Sequence, residues 1–183
     1  MPLKGSVATR EHLKDKSQGY YVLRANYTDK GIPQTGALTG RNMLTLRHPK
    51  VQAEDADVLN NVSTRHMDGT DMTFLADIHD GSFIAFKNID LTGIREIHFG
   101  ASTRQSGSTI EVRTGSPRGQ LLGKADVPKI ENFKEGIKMT RTLLSDAAGQ
   151  TDVYFVFRNS EGQKENILFI DWIIFDNGEV KLP

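Results

Sequence analysis

The 183-residue chain contains no cysteine, which excludes disulfides, thiolate zinc sites and a cysteine nucleophile. Neither sign of charge is in excess, since 23 lysines and arginines balance 23 aspartates and glutamates. Nucleic-acid-binding domains usually carry a basic surplus or a basic stripe, whereas the basic residues here are scattered, so we expect no nucleic-acid partner. No apolar run approaches the roughly 18 residues of a membrane helix, and we expect no membrane partner.

The catalytic signatures that a single sequence can reveal are also missing. There is no Gly-x-Ser-x-Gly nucleophile elbow, and the five histidines are too scattered to indicate a catalytic triad. There is no phosphate-binding P-loop and no dinucleotide-binding glycine fingerprint. Residues 1–6 lack the apolar core of a signal peptide. The sequence therefore predicts a soluble chain with no sign of catalysis, and it is compatible with a piece of a larger exported protein.

What the sequence does contain is a succession of short strand patterns. Residues 20–27 are rich in β-formers, residues 29–41 hold three glycines and a proline, and residues 43–47 are strand-like again. We therefore predict that residues 1–48 form a hairpin-like extension, which begins with a polar arm or a short helix over residues 1–18.

From residue 50 onward, apolar residues alternate with polar or small ones at the period of two that is typical of strands. Residues 95–103 and 109–113 show this pattern clearly. Residues 153–157 are apolar at every position, so both faces of that strand are expected to be covered. The regular spacing and the glycine-rich turns between these runs predict an all-β domain over residues 49–183, built as an antiparallel β-sandwich.

Acidic residues occur in two strand-like runs, residues 51–55 and 170–175, where an all-β domain normally has apolar or neutral ones. On a strand, Gln52 and Glu54 would share one face. Asp171 interrupts an apolar strand, where a buried carboxylate without a partner is costly. An oxygen-liganded cation such as calcium would satisfy all three side chains. Ion pairing of Glu54 with a lysine or arginine, and local pairing of Asp171, explain the pattern equally well.

Two further clusters are better explained as turns. Asp77, His79 and Asp80 precede a predicted strand, and a catalytic metal site there would need His98 as a second histidine. Residues 66–71 suggest a calcium loop, but they lack the length and the closing glutamate of an EF-hand loop. We expect a solvated polar turn at both places.

Five segments together resemble a known family. They are residues 51–55, 80–86, 110–123, 152–157 and 170–175, of which the central hairpin at 110–123 is the most specific. In this order they make residues 50–178 similar to a family 6 carbohydrate-binding module, over about two thirds of the chain. Residues 20–49 resemble, more weakly, the segment that leads into such a module in large exported bacterial proteins with sugar-dehydrogenase-like or hydrolase-like domains.

The resemblance implies a jelly-roll β-sandwich that binds a polysaccharide or an oligosaccharide without cleaving it. It also implies a structural calcium ion, Ca2+, whose ligands in this sequence are Gln52, Glu54 and Asp171. Other domains of a parent protein are implied as partners, and the implied location is extracellular or periplasmic.

The residues that the resemblance assigns to sugar binding depart from the family pattern. Phe74 and Asp77 lie where the family has an aromatic residue before its glycine-centred turn. Phe133 is the only aromatic residue in the loop that carries a tryptophan in the family. Asn166 lies three positions before Phe169, which occupies the usual place of a ligand asparagine. We predict an eroded or rebuilt sugar site at the loop end, formed by Asp77, Phe74, Phe133 and Asn166.

Each aromatic residue on these strands either packs in the interior of the sandwich or offers a surface for sugar binding. Trp172, the single tryptophan, is expected to lie in the sandwich interior rather than to serve as a sugar platform. Tyr154 and Phe155 face opposite sides of one strand, so one of them is available for a second sugar site on the concave face that some family members use.

Three functions are compatible with these observations. The first is a non-catalytic carbohydrate-binding module that targets a larger enzyme to polysaccharide. The second is a structural or protein-contact β-sandwich domain that has lost sugar affinity, which the missing loop aromatics favour. The third is a jelly-roll glycoside hydrolase, which needs two carboxylates roughly 5 to 9.5 Å apart. Glu54, Glu111, Asp152 and Asp171 are available for that role, but no motif selects a pair.

Overall fold

The computed structural model describes residues 21–145 and 148–180, whose regular structure is almost entirely β. The described strands are β1 (Tyr21–Thr28), β2 (Thr39–Leu46), β3 (Lys50–Gln52), β4 (Val58–Asn60), β5 (Ser63–His66), β6 (Thr73–Ala76), β7 (Phe83–Asp90), β8 (Glu96–Ser102), β9 (Ser108–Thr114), β10 (Leu121–Asp126), β11 (Lys138–Leu143), β12 (Gln150–Asn159) and β13 (Phe169–Asp176). Two short 3-10 turns occupy Ala53–Asp55 and Phe133–Glu135. Within the described ranges, no helix has the length and apolar character that crossing a bilayer requires.

The chain divides into two compact units between His48 and Pro49. In the described part of the first unit, β1 and β2 form an antiparallel hairpin. The sequence pattern predicts the second strand at residues 43–47, but it begins at Thr39, because the pairing continues to the end of β1 at Thr28. The arm predicted at residues 1–18 lies outside the described residues.

The second unit contains two sheets. One has the strand order β10-β9-β12-β7-β4, and the other has the order β11-β8-β13-β6-β5, with β3 paired to β13. All of these strand pairs are antiparallel. The predicted fold class, an all-β antiparallel sandwich of the jelly-roll type, is therefore confirmed.

The hydrophobic core lies between the two sheets. Phe99 on β8 and Phe155 on β12 meet edge to face with ring centroids 5.6 Å apart, and Phe86 on β7 meets Phe155 at 6.2 Å. Edge-to-face contacts of this kind bury large rings in a favourable electrostatic arrangement. Val156 points away from this core and is still only 1% exposed, so both faces of β12 are covered as predicted.

The acidic opening segment differs from the sequence prediction. β3 ends at Gln52, and the next three residues form a 3-10 turn in which the Ala56 N–H donates to the Ala53 carbonyl at 3.3 Å. Ala53 is fully buried and belongs to the core, which anchors this turn. The prediction that Gln52 and Glu54 alternate along one strand is therefore wrong.

β13 carries a β-bulge at Asp171. Along β13 the pairing with β8 passes from Ile170 directly to Trp172, while β8 advances by a single residue. A bulge of this kind inserts one residue and shifts the alternation of side chains by one position. Ile170 and Ile173 consequently both belong to the core although their spacing is odd.

Candidate functional site

One cleft in the second unit brings together all four residues that the sequence suggested for sugar binding. It has a volume of about 680 Å³, which lies within the range of small-ligand sites. It is lined by Arg65, Phe74, Ala76, Asp77, Arg104, Gln105, Phe133, Asn166, Leu168 and Phe169. Phe74 comes from β6 and Asp77 follows that strand, Phe133 opens a 3-10 turn, and Asn166 lies in the loop before β13.

Three phenylalanines form an aromatic wall in this cleft. The Phe169 ring centroid lies 6.1 Å from that of Phe74 and 5.7 Å from that of Phe133. Phe133 is 59% exposed, so much of its ring is open to solvent. The sequence pattern gave Phe169 no binding role, although its place one residue before the core-facing Ile170 indicates that it faces away from the core.

A polar edge adjoins the aromatic wall. Arg65 donates to one carboxylate oxygen of Asp77, from Nε at 3.1 Å and from Nη2 at 2.6 Å. Asp77 and Asn166 both have a left-handed backbone with φ of 51°, which aspartate and asparagine tolerate better than most residues. The Ile167 N–H donates to the Ile78 carbonyl at 3.0 Å and joins the two segments. The backbone therefore holds Asp77 and Asn166 near one another.

Buried hydroxyl groups fix the loops that carry the cleft. The hydroxyls of Thr103 and Ser108 both donate to the Ile167 carbonyl, at 2.6 and 2.5 Å. The two side chains are almost completely buried, and the Thr103 hydroxyl also accepts a hydrogen bond from the Gln105 N–H at 2.9 Å, so its removal would leave that N–H without this acceptor. Because Arg104 follows Thr103 and Asn166 precedes Ile167, this network positions both residues at the cleft.

The three predicted calcium ligands gather at the pairing of β3 with β13. Gln52 lies opposite Trp172 in that pairing, which places it beside Asp171. Burial raises the pKa of Glu54 to about 7; backbone hydrogen bonding opposes this rise, and the nearby charge of Asp171 adds to it. Burial also raises the pKa of Asp171, and the charge of Lys50 partly offsets that rise. Both carboxylates thus lie where a negative charge lacks solvation.

The chemistry of this group fits a hard cation. Gln52 Oε1 and Glu54 Oε2 are buried without a hydrogen-bond partner, and buried acceptors of this kind normally have one. Amide and carboxylate oxygens are the ligands that calcium prefers. Within the described ranges, Glu54 forms no ion pair with a lysine or arginine, so the alternative of local pairing has no support for this residue.

A second titratable group consists of Glu96, His98 and Asp176, whose ligand atoms lie within 4.8 Å of one another. His98 Nε2 is 3.4 Å from Glu96 and 3.2 Å from Asp176, and Arg141 is 2.7 Å from Glu96. The hydrogen bond between His98 and Asp176 and the ion pair between Arg141 and Glu96 account for this arrangement. Among histidine, aspartate and glutamate side chains, it is the one group of three that the described residues bring together, so a metal site combining His98 with residues 77–80 is not formed there.

Comparison with known proteins identifies the sandwich. The sequence profile described as "Carbohydrate binding module (family 6)" matches residues 52–177. The chain belongs to this family. The resemblance seen in the sequence is confirmed, and the domain that contains the cleft is a carbohydrate-binding module.

Solved family 6 modules have the same fold. The β-1,3-glucan-binding module from Bacillus halodurans is 26% identical, with a TM-score of 0.61 over 69% of this chain and 93% of that chain. A module from Clostridium stercorarium, solved with cellobiose, is 28% identical, with a TM-score of 0.59 over 69% of this chain and 92% of that chain.

Among curated proteins, the chain is similar to part of an endo-1,4-beta-xylanase A from Thermoclostridium stercorarium. The two are 32% identical over 99 residues, which are 54% of this chain and 18% of the xylanase. The match thus spans less than a fifth of that relative's length.

The single tryptophan of the module does not lie in the core, so that prediction is wrong. Trp172 is half-buried and packs on Gly100, where an added Cβ would come within 2.3 Å of the indole. The Lys50 ammonium lies 4.9 Å from the ring centroid. The bulge at Asp171 explains the error, because it reverses the side of the sheet to which every later residue of β13 points. With Gly100 and Lys50 against it, Trp172 is no open sugar platform either.

On the five-stranded sheet, Phe155 is fully buried in the core and Tyr154 is the half-buried residue of the opposite face. Tyr154 packs beside Phe83 with ring centroids 5.7 Å apart. On the paired strand β9, the Arg113 Nε lies 2.9 Å from the Glu111 carboxylate. Of the two aromatic candidates for a second sugar site, Tyr154 is therefore the one that faces away from the core.

Proposed function

We propose that the family 6 module binds a saccharide chain in the cleft formed by Phe74, Asp77, Phe133 and Asn166. The observation that carries this proposal is the aromatic wall next to a polar edge in a cleft of about 680 Å³. The C–H face of a sugar packs on aromatic rings, while a few placed polar groups bond its hydroxyls and fix its orientation. Phe133, the most exposed ring of the wall, is the main stacking surface.

We further propose that the module has no catalytic activity of its own. Glycoside hydrolysis requires two carboxylates across the scissile bond, whereas Asp77 is the only carboxylate among the described residues that line this cleft. Glu111 is engaged by Arg113, and the Asp152 carboxylate accepts a hydrogen bond from the Asn88 N–H at 3.0 Å. Glu111 and Asp152 therefore stabilise the sheet and have no catalytic role.

The module then acts as an accessory domain that holds a larger enzyme on polysaccharide, outside the cytoplasm in the extracellular space or the periplasm. Its similarity to a small part of a xylanase supports this role. We propose that residues 1–48 are an extension that connects the module to other domains of a parent protein. A structural domain that has lost sugar affinity is the alternative.

We also propose that Gln52, Glu54 and Asp171 hold a structural calcium ion. Calcium would neutralise the two carboxylates whose pKa values burial raises, and it would satisfy the two acceptors that lack donors. The group lies where the opening strand meets the closing strand, so the ion stabilises the fold rather than contacting sugar.

Affinity gel electrophoresis on glucans, xylans and galactans tests the sugar site. Wild-type protein should be retarded by at least one of these polysaccharides, and Phe133→Ala should remove the retardation. Tyr27→Ala is the matched control, because Tyr27 is an exposed aromatic residue, 74% exposed, of the β1–β2 hairpin. Failure of the wild type to bind any member of this panel or any acidic polysaccharide would refute the sugar-binding role and leave the structural domain. Release of reducing sugar would instead support the hydrolase.

A further inference from the structure

The two arginines that line the cleft are in different electrostatic situations. The Arg65 guanidinium is neutralised by Asp77, with Nη2 only 2.6 Å from the carboxylate. Arg104 is exposed and, within the described ranges, takes part in no ion pair. Asp77 is the only acidic residue in the part of the lining that the structure describes. The cleft therefore carries one uncompensated positive charge in a chain whose formal net charge is zero.

The Arg104 side chain is also held in place. Its Cζ lies 5.4 Å from the ring centroid of Phe133, so the guanidinium rests against the aromatic wall. Cation–π contact of this kind is favourable and orients the planar group. The buried Thr103 hydroxyl accepts a hydrogen bond from the Gln105 N–H at 2.9 Å, which fixes the backbone on both sides of Arg104.

An oriented guanidinium recognises a particular ligand chemistry. Arginine presents a planar fork of N–H donors that matches a carboxylate, and charge-assisted bonds of this type are about twice as strong as neutral ones. Neutral sugars offer only hydroxyls, which gain little from a full positive charge. A sugar with its own carboxylate would pair with Arg104 while its ring packs on the phenylalanines.

We infer that the cleft prefers acidic saccharides, with the carboxylate of a uronic acid unit bound by Arg104. This inference rests on the proposed sugar-binding function of the same cleft. Arg104 is the specificity-determining residue, whereas Phe74, Phe133 and Phe169 supply stacking that is common to acidic and neutral sugars.

Isothermal titration calorimetry with paired ligands tests this preference. The probes are oligosaccharides of polygalacturonate, alginate and glucuronoxylan, each compared with its carboxyl-reduced counterpart, which has the same linkages but no charge. Wild-type protein should bind at least one acidic probe about tenfold or more tightly than its reduced form, since a charged hydrogen bond contributes about 1.5–3 kcal/mol. The preference should weaken in 0.5 M NaCl because exposed charges are screened, to a Debye length of roughly 4 Å.

Variants assign the preference to the guanidinium. Arg104→Gln should remove the preference and retain binding of the reduced ligand, which also shows that the variant is folded. Arg104→Lys should keep part of it, because the charge remains and the fork is lost. Arg118→Gln, the same change at an exposed arginine outside the cleft lining, should behave as wild type.

Two results overturn the inference and leave the proposed function standing: equal or tighter binding of the reduced ligands by wild type, or an acidic preference that persists in Arg104→Gln. Absence of binding to every acidic and neutral probe overturns the proposed function itself.

Discussion

Replacing Glu54 with glutamine should stabilise the calcium-free protein at pH 8 and, at the same time, abolish its stabilisation by calcium. Folding raises the pKa of this carboxyl from an ordinary value of 4.5 to about 7. Because the folded-state pKa is the higher one, the protonated form favours folding. That contribution is complete below about pH 4.5 and is lost as the pH rises to about 7. Above pH 7, the ionised carboxylate lowers the free energy of unfolding, and only a bound cation would offset this destabilisation.

The size of the effect follows from the same shift. The difference between 4.5 and about 7 corresponds to about 3 kcal/mol, at about 1.4 kcal/mol for each pKa unit. Glu54 is only partly buried, so solvent screening reduces this figure, and we expect about 1–2 kcal/mol. For a chain of this length, that corresponds to a Tm increase of about 2 to 8 °C.

Thermal melts in EDTA and in calcium, at pH 4 and pH 8, measure how the charge of Glu54 and the binding of calcium change the stability of the protein. In EDTA at pH 8, Glu54→Gln should melt above wild type, and the difference should vanish at pH 4. Calcium at pH 8 should raise the Tm of wild type, because it binds the folded state, and should leave Glu54→Gln nearly unchanged. Glu131→Gln, at an exposed glutamate, controls for the loss of one charge.

Two outcomes would refute this reasoning. A Glu54→Gln protein that melts at or below wild type in EDTA at pH 8 would show that the ionised carboxylate is not destabilising. Equal stabilisation of both proteins at the same calcium concentration would remove Glu54 from the ligand set.

Two packing predictions complete the set. Gly100→Ala should lower the free energy of unfolding in urea by about 1–3 kcal/mol, because its Cβ would come within 2.3 Å of the Trp172 indole; a loss that does not shrink in a Trp172→Ala background contradicts this. Thr103→Val removes a hydroxyl that donates to the Ile167 carbonyl at 2.6 Å, which should cost about 1–3 kcal/mol and weaken saccharide binding in calorimetry. Thr140→Val, at a less buried hydroxyl, should lower the free energy of unfolding by less and serves as the control. Unchanged saccharide binding by Thr103→Val would contradict the role of Thr103 in positioning the cleft residues.

Strand prediction from alternation succeeded where one face of a strand packs into the core. Residues 95–103 and 109–113 were predicted in this way and correspond to β8 and β9. β11 escaped prediction because, of its residues, only Thr142 is buried. It forms an edge of its sheet, where lysine and arginine side chains are common and no apolar alternation is required.

The sequence pattern could not predict features that depend on contact with another segment of the chain. The facing of Trp172 is set by a bulge, and a bulge exists only in relation to the neighbouring strand. Arg104 and Phe169 were missed for a related reason, since each gains its place in the cleft by contact with Phe133, which is distant in sequence. Phe74, Asp77, Phe133 and Asn166 were found through the family resemblance; the structure places them around one cleft, and their role in binding remains a proposal.

The inserted residue in β13 also determines which changes this strand can tolerate. Asp171 separates the strand into two halves, with Phe169 facing the cleft before it and Trp172 facing Gly100 after it. Deleting Asp171 would place Trp172 directly after Ile170 and restore simple alternation, so Ile170 and Ile173 would still face the core and Trp172 would still face Gly100. A deletion at this position therefore removes a proposed cation ligand and leaves both faces of the strand in place, as a substitution also does. We expect lineages that abandon the proposed cation either to substitute this residue or to lose it, with Ile173 on the core side of β13 in both cases.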